Sequence, residues 1–402
     1  MVYSGKICYE RGMIKMAEKM TYINPEMLIW AREESGITID DAIEKFGASK
    51  ISDWENGEDY PTYAQLKDMS NYYRKPVAIF FFPEPPVLKS IPASCRTLPM
   101  YMDLIFSRNI TKLLDEGRVM QLNLYELNEN KNPLIHKIND ETFNCFDIES
   151  VAKKVRRIFN ISIDEQKKFR KYEDAFEIWR ESFYQMGIYV FKTAFKDEGI
   201  SGFCLYDDEF PIIYINNSFS ISRQIFTLFH ELYHLLYKTS GIDLFKDPQN
   251  ASYHTKSDEV IERYCNRFAG EFLVPNDDFE LNINGKFFSE SLVEKLASTY
   301  CVSREVILRK FLDIDYIDKE EYSSMREEYL KDYFRFIEKK SDKDGGGNYY
   351  NTQMAYLGER YLRLSFGNYY HKKISINQLS KYLNMKVPSL KKIASMKGWG
   401  SL

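Results

Sequence analysis

The chain has 402 residues, 44% of them hydrophobic and 28% charged, with 55 basic against 59 acidic side chains and a net charge of −4. That composition excludes a disordered or collagen-like chain and predicts two or three globular domains. No apolar run is long enough to span a bilayer, and the N-terminal MVYSGKICYERGMIKMAEKM lacks the continuous apolar core of a signal peptide. The six cysteines (Cys8, Cys95, Cys145, Cys204, Cys265, Cys301) form no CxxC pair. The sequence therefore predicts a cytoplasmic protein with reduced thiols and no membrane partner.

Residues 1–20 read as an unstructured leader, or as sequence ahead of an internal start at Met13, Met16 or Met20. From Tyr22 the pattern becomes regular: Asn24 to Gly36, Thr38 to Gly47, Ser49 to Gly57 and Tyr63 to Tyr73 read as short helices with breaks at the glycines. The stretches LIWAREESGI, AIEKFG and KISDWENGEDYPTYAQL resemble the Cro/repressor (XRE) type of helix-turn-helix, with Trp54 and Glu55 where that family carries its Trp-Glu-x-Gly. The resemblance implies such a domain over 21–82. Two features argue against its reading DNA. Between Gly47 and Trp54 stand only ASKISD, about two residues fewer than that family usually has, which shortens the turn and the start of the recognition helix. Within residues 20–60, Arg32, Lys45 and Lys50 stand against Glu26, Glu33, Glu34, Asp40, Asp41, Glu44, Asp53, Glu55, Glu58 and Asp59, a balance of 3 − 10 = −7. That is the wrong sign for phosphate. The expected partner is a protein, a basic one by charge complementarity, or the rest of this chain.

A Pro-rich connector is expected over 83–100 and a helical region over 101–186, ending in WRESFYQMG. Then Gly187 to Phe195, Ser201 to Tyr206 and Phe210 to Asn216 read as β-rich runs, followed directly by a helix carrying Phe226-Thr-Leu-Phe-His230-Glu231-Leu-Tyr-His234-Leu-Leu, with Ser220 or Ser222 as its N-cap. Residues four apart stack on one helical face, so His230 and His234 can offer two imidazoles to one Zn²⁺, with Glu231 beside the open coordination position as general base. The chain has five histidines; by composition a chance His-Glu-x-x-His is expected roughly a few thousandths of a time. Two histidines leave the metal short of a ligand. Asp258 to Phe272 is helical in pattern, with Ile261, Phe268, Ala269 and Phe272 as its apolar stripe. Glu262 can complete a His₂Glu site, Asn266 one turn on can orient a ligand's free edge, and Glu259 one turn upstream is the alternative third ligand.

These stretches resemble the ImmA/IrrE family of zinc metallopeptidases. The likeness runs from about Ile188 to Val302, through GFCLYDDEFPIIYIN, FTLFHELYHLL and ERYCNRFAGEFLVP, and implies a zinc-peptidase core over 187–284 that uses Zn²⁺ for peptide-bond hydrolysis. It further implies His230, His234 and Glu262 as zinc ligands and Glu231 as general base. Three departures stand out: Phe229 and Tyr233 where that family usually has small residues, and Cys265 in place of Ala. The two rings are expected to narrow the cleft. Tyr253 and His254, in the loop between the metal helices, are the nearest candidates for an oxyanion donor.

Residues 285–340, containing SLVEKLASTYCVSREVILRKFL, read as a helical lid or a second helix-turn-helix. A Gly-rich linker, SDKDGGGN, spans 341–348, and a basic helical tail spans 349–402. From Lys372 onward there are seven lysines and no acid. The tail either contacts DNA or docks on the acidic N-terminal domain. The fold class expected is α+β, predominantly helical: an N-terminal helix-turn-helix domain, a peptidase domain with a small sheet, and a helical tail. The activity expected is that of a regulatory peptidase cutting one protein substrate, a transcriptional repressor encoded nearby. The alternative is a non-catalytic, antitoxin-like regulator.

Overall fold

A computed structural model describes residues 19–35, 37–73, 75–85, 108–135, 143, 146–196, 199–238, 241–244, 256–341 and 348–400. Most of the expected leader, Pro-rich connector and Gly-rich linker lies outside them. The chain divides into two compact units, the first containing the described residues 19–85 and the second running from Asn109 onward.

In the first unit, α1 (Pro25–Glu33), α2 (Ile39–Phe46), α3 (Ala48–Asn56) and α4 (Tyr63–Tyr73) follow the helical runs expected from sequence. Asn24 caps α1 ahead of Pro25, and Thr38 and Asp41 form a reciprocal capping box on α2. Gly47 alone separates α2 from α3, at φ +98°, a conformation that excludes most side chains. Leu28, Ala31, Ile51, Trp54, Leu66, Met69, Tyr73 and Phe80 close one core. Across it Arg32 forks onto Glu55, Nε to Oε1 at 2.7 Å and Nη2 to Oε2 at 3.0 Å, tying α1 to α3.

The second unit is built on a four-stranded sheet of order β1-β3-β2-β4, where β1 is Tyr189–Thr193, β2 Ile200–Leu205, β3 Ile212–Asn216 and β4 Gly241–Leu244. β1 runs parallel to β3, and β2 pairs antiparallel with both β3 and β4. β2 and β3 are buried along their whole lengths because helices cover both faces. Alternation assigns the side chains: Val190, Cys204, Ile213 and Ile215 join the main helical core, while Phe191, Phe203 and Tyr214 pack among themselves on the other face, Phe203 stacked on Tyr214 at 5.0 Å.

The main core gathers helices that are distant in sequence. It takes residues from α6 (Ile148–Phe159), α8 (Tyr172–Gln185), α9 (Ile221–Leu236), α10 (Lys256–Leu273), α11 (Asn276–Ile283), α12 (Glu290–Tyr300) and α13 (Arg304–Asp313). Buried Gln166, at the end of α7 (Ile163–Gln166), donates to the carbonyls of Leu273 and Tyr300 at 2.8 and 2.9 Å and so joins α7, α10 and α12. Residues 285–313 are thus walls of the same core as the His-Glu-x-x-His helix. The long α14 (Lys319–Ser341) follows.

The opposite face of the sheet is covered by α5 (Arg108–Leu127), whose Gly117 faces Leu205 and Phe203 with no room for a Cβ, and by the tail. The tail comprises α15 (Tyr349–Leu357), α16 (Glu359–Tyr370), α17 (Ile376–Tyr382) and α18 (Val387–Lys397). It is an integral layer: Tyr361 packs edge-on against Phe191 at 5.3 Å, and Arg180 of α8 reaches through to it. The Arg180 guanidinium donates to Val190 O, and also to Ala355 O at 2.7 Å and Tyr356 O at 3.0 Å. Burial lowers its pKa, and the carbonyl dipoles are what make its burial tolerable. Gly358, at φ +81°, lets the chain pass: a Cβ there would stand 2.5 Å from Arg180 Nη2. Gly358→Ala is therefore expected to destabilise the protein by about 1–3 kcal/mol in denaturant unfolding. An unchanged midpoint would remove Arg180 as the anchor of the tail.

Candidate metal centre

Helix α9 begins at Ser220, whose side chain accepts from Arg223 N, and its described side chains from Thr227 to Leu235 are all buried. One face carries Ile225, Leu228, Phe229, Leu232 and Tyr233 into the core. His230, Glu231 and His234 occupy the remainder, with relative exposures of 0, 0 and 4%. The helix lies directly on β2, where a Cβ on Gly202 would sit 2.4 Å from Thr227 Cγ2. Glycine at 202 is thus what lets the helix sit this low on the sheet.

Helix α10 packs along α9 through Phe268, Ala269 and Phe272, matching the expected stripe, with Ile261 partly buried at its margin. It brings Glu262 against both imidazoles: Oε2 lies 3.1 Å from His230 Nε2 and Oε1 lies 3.3 Å from His234 Nε2. Burial alone would raise the Glu262 pKa; the charges of His234 and His230, with their hydrogen bonds, outweigh it and hold the carboxyl well below its usual range. One turn on, Asn266 Oδ1 stands 3.1 Å from His230 Nδ1. Once the ring gives up its Nε2 proton, as a metal ligand must, an Nδ1–H donated to that oxygen leaves Nε2 as the lone-pair nitrogen facing Glu262.

The donor set suits a small tetrahedral cation. Zinc bound by nitrogen and oxygen at about 2.0–2.2 Å has ligand-to-ligand edges of about 3.3–3.5 Å. The two histidine–carboxylate separations fall close to that edge. A second possible donor is Cys265, fully buried, whose sulfur lies with ligand nitrogens of His230 and His234 in a group of atoms all within 4.8 Å of one another. In the sequence Cys265 stands out only as a departure from the pattern of the family it resembles. Its place three residues after Glu262 and one before Asn266 was the available signal. The side chain of Glu259 and residues Tyr253 and His254 lie outside the described residues.

The expectation that Phe229 and Tyr233 narrow a cleft is corrected by their packing. Phe229 stacks on Phe272 at 4.2 Å and meets Trp179 and Phe183, while Tyr233 packs on Phe268 at 5.0 Å. Both rings are fully buried in the core. Helices α6, α8 and α10 supply the aromatic pocket that receives them.

Residues 184–312 match the peptidase M78 family model, the IrrE N-terminal-like domain. A search of curated proteins finds no match to the chain. The family match supports a peptidase of the ImmA/IrrE kind and extends across α12 and α13, the helices that share the metal-site core. Because Gly202 sets how closely α9 approaches the sheet, Gly202→Ala is expected to lower the thermal midpoint by several degrees, equivalent to about 1–3 kcal/mol. Unchanged melting would show that the sheet and helix adjust freely.

Proposed function

We propose that this protein is a regulatory zinc metalloendopeptidase that hydrolyses one peptide bond in a specific protein partner within the cell, a transcriptional regulator encoded beside it. The observation that carries this reading is the convergence of Glu262 on both His230 Nε2 and His234 Nε2, with buried Glu231 adjoining in the same helix. His230, His234 and Glu262 would hold the metal. Zinc, when bound, lowers the pKa of water and polarises a carbonyl.

The protein's own groups do the rest. Asn266 fixes the His230 ring by accepting at Nδ1, so the ring cannot turn its lone pair away from the site. Glu231 takes a proton from the attacking water on a carboxylate oxygen and delivers it to the leaving amine nitrogen as the C–N bond breaks. The surrounding aromatic core excludes bulk water and stiffens the helix that carries His230, Glu231 and His234. Glu262 is preferred to Cys265 as third ligand because its carboxylate faces both Nε2 atoms and a carboxyl ordinarily ionises well below neutral pH, whereas a thiol must first lose its proton.

The first unit suits recruitment by protein contact. Its −7 balance over residues 20–60 and the single-residue turn at Gly47 disfavour phosphate recognition, although its helices keep the order of an XRE-like domain. A second reading follows from Cys265. Four protein donors, His₂, Glu and Cys, would close a tetrahedral site, and the protein would then act as a binding regulator.

Purified zinc-loaded protein, incubated with regulators encoded beside it, should make one discrete cut. Glu231→Gln should lower the cleavage rate by roughly 10²–10⁴-fold while zinc content stays at one equivalent. Glu262→Gln should lose most bound zinc, and Cys265→Ala should keep it. Cobalt-substituted protein separates the readings: a thiolate charge-transfer band lost in Cys265→Ala, together with loss of the metal in Glu262→Gln, would establish four protein ligands and overturn the peptidase assignment. General digestion of casein would argue against a single partner.

A further inference from the structure

The basic end of the chain carries a structure that the metal site does not use. Helices α17 and α18 are joined by four residues, Leu383 to Lys386, and Asn384 in that turn adopts a left-handed conformation at φ +49°. Leu379, Leu383, Met385, Leu390, Ile393 and Ala394 are all buried where the two helices and their turn pack on each other and on α15 and α16. Ser380 ties the turn by donating through Oγ to Met385 O, and the Met385 amide donates back to Ser380 O at 3.0 Å. This pair is held rigidly on the second unit: Tyr361 Oη donates to Tyr382 O at 3.0 Å, and Tyr382 Oη donates to Glu126. A mobile tail would have none of these ties.

The outward face of α18 is defined by Pro388, Lys391, Lys392 and Ser395, all exposed and spaced i, i+3, i+4, i+7. Lys386, also exposed, stands at the entry to the helix and Lys381 at the end of α17. Of the seven lysines from residue 372 onward, Lys373 pairs with Glu129 and Lys397 with Glu359. Lys372, Lys381, Lys386, Lys391 and Lys392 make no ion pair among the described residues. No acidic residue occurs in this stretch, although the whole chain is net acidic. A concentrated cationic face on an otherwise acidic protein suits a polyanion.

We propose that α17 and α18 form a helix-turn-helix that binds duplex DNA, with α18 entering the major groove through Lys386, Lys391 and Lys392. The major groove of B-form DNA admits an α-helix presented in this way, whereas the deep, narrow groove of A-form RNA does not. The lysines would neutralise phosphates and fix the register, with Ser389 and Ser395 as the short polar side chains nearest base edges. The assignment places DNA contact at the C-terminal end, on the unit that holds the metal site, and it stands whether or not the peptidase reading holds.

The test uses the full chain and a pool of random-sequence DNA duplexes, followed by fluorescence anisotropy on a recovered duplex over a range of salt concentrations. Binding should be measurable at low salt and weaken steeply as salt rises. The triple variant Lys386→Ala, Lys391→Ala, Lys392→Ala should bind roughly ten- to a hundred-fold more weakly, and its log K against log salt slope should be shallower by about 2.7, or about 0.9 per lost phosphate contact. Melting controls confirm its fold, and the single variant Lys391→Gln, at an exposed position, should show a slope shallower by about 0.9. The proposal is overturned if the full chain retains no duplex at low salt, or if neither variant changes binding. It is also overturned if polyglutamate competes as well as duplex, which would mark the face as one for an acidic protein.

Discussion

Everything in the second unit depends on burying one helix, Ile221–Leu236, on nearly all sides. A helix wholly surrounded by protein is ordinarily apolar throughout, yet this one carries two imidazoles and a carboxylate inside the molecule. Stripping such groups of water costs several kcal/mol for each charge unless partners replace the lost hydration. For the two imidazoles, Glu262 and Asn266 supply that replacement from the neighbouring helix, at 3.1–3.3 Å. The requirement fixes how closely the two helices must run, and therefore the aromatic set that fills the space between them.

That closeness explains features that look unrelated along the chain. Gly202 is small because the helix must touch the sheet, and Phe229 stacks on Phe272 because two helices in register leave a slot for two flat rings. Arg156 reinforces the same joint: its guanidinium lies 4.5 Å from the Phe272 ring centroid and donates to Phe272 O, while burial pulls its pKa down to about 10. Gln166 and the buried Lys310–Glu271 pair, 2.8 Å apart, attach the flanking helices to the end of α10. A group that must be positioned to a fraction of an ångström needs this kind of surrounding support.

The charge of the chain is distributed with the same economy. The N-terminal unit is acidic, and its Arg32 is taken up by Glu55 within its own core. The lysine-rich segment is carried on α17 and α18, which pack on α15 and α16, the tail helices that cover the far face of the sheet, away from the face occupied by α9. Arg180 joins the two sides, since it sits on a helix of the metal-site core while its guanidinium holds the carbonyls of Ala355 and Tyr356. Any shift of the tail therefore strains a residue that packs beside the site's own scaffold.

The His230, Glu231, His234 spacing and the Glu262, Asn266 spacing were each legible in the sequence because each is set by the 3.6-residue period of one helix, whereas the meeting of the two helices was not. The four short helices before Tyr73 and the three strands from Tyr189 to Asn216 were legible for the same reason, through caps, glycine breaks and alternation. What only the tertiary structure decided are contacts between segments far apart in the chain. These include the closeness of Cys265 to the two histidines, the burial of Phe229 and Tyr233 in place of a narrowed cleft, the sharing of one core by residues 148–313, and the seating of the tail on β1. Periodicity shows which face of a helix is apolar, but not which partner covers it. That partner is chosen by the packing of the whole chain.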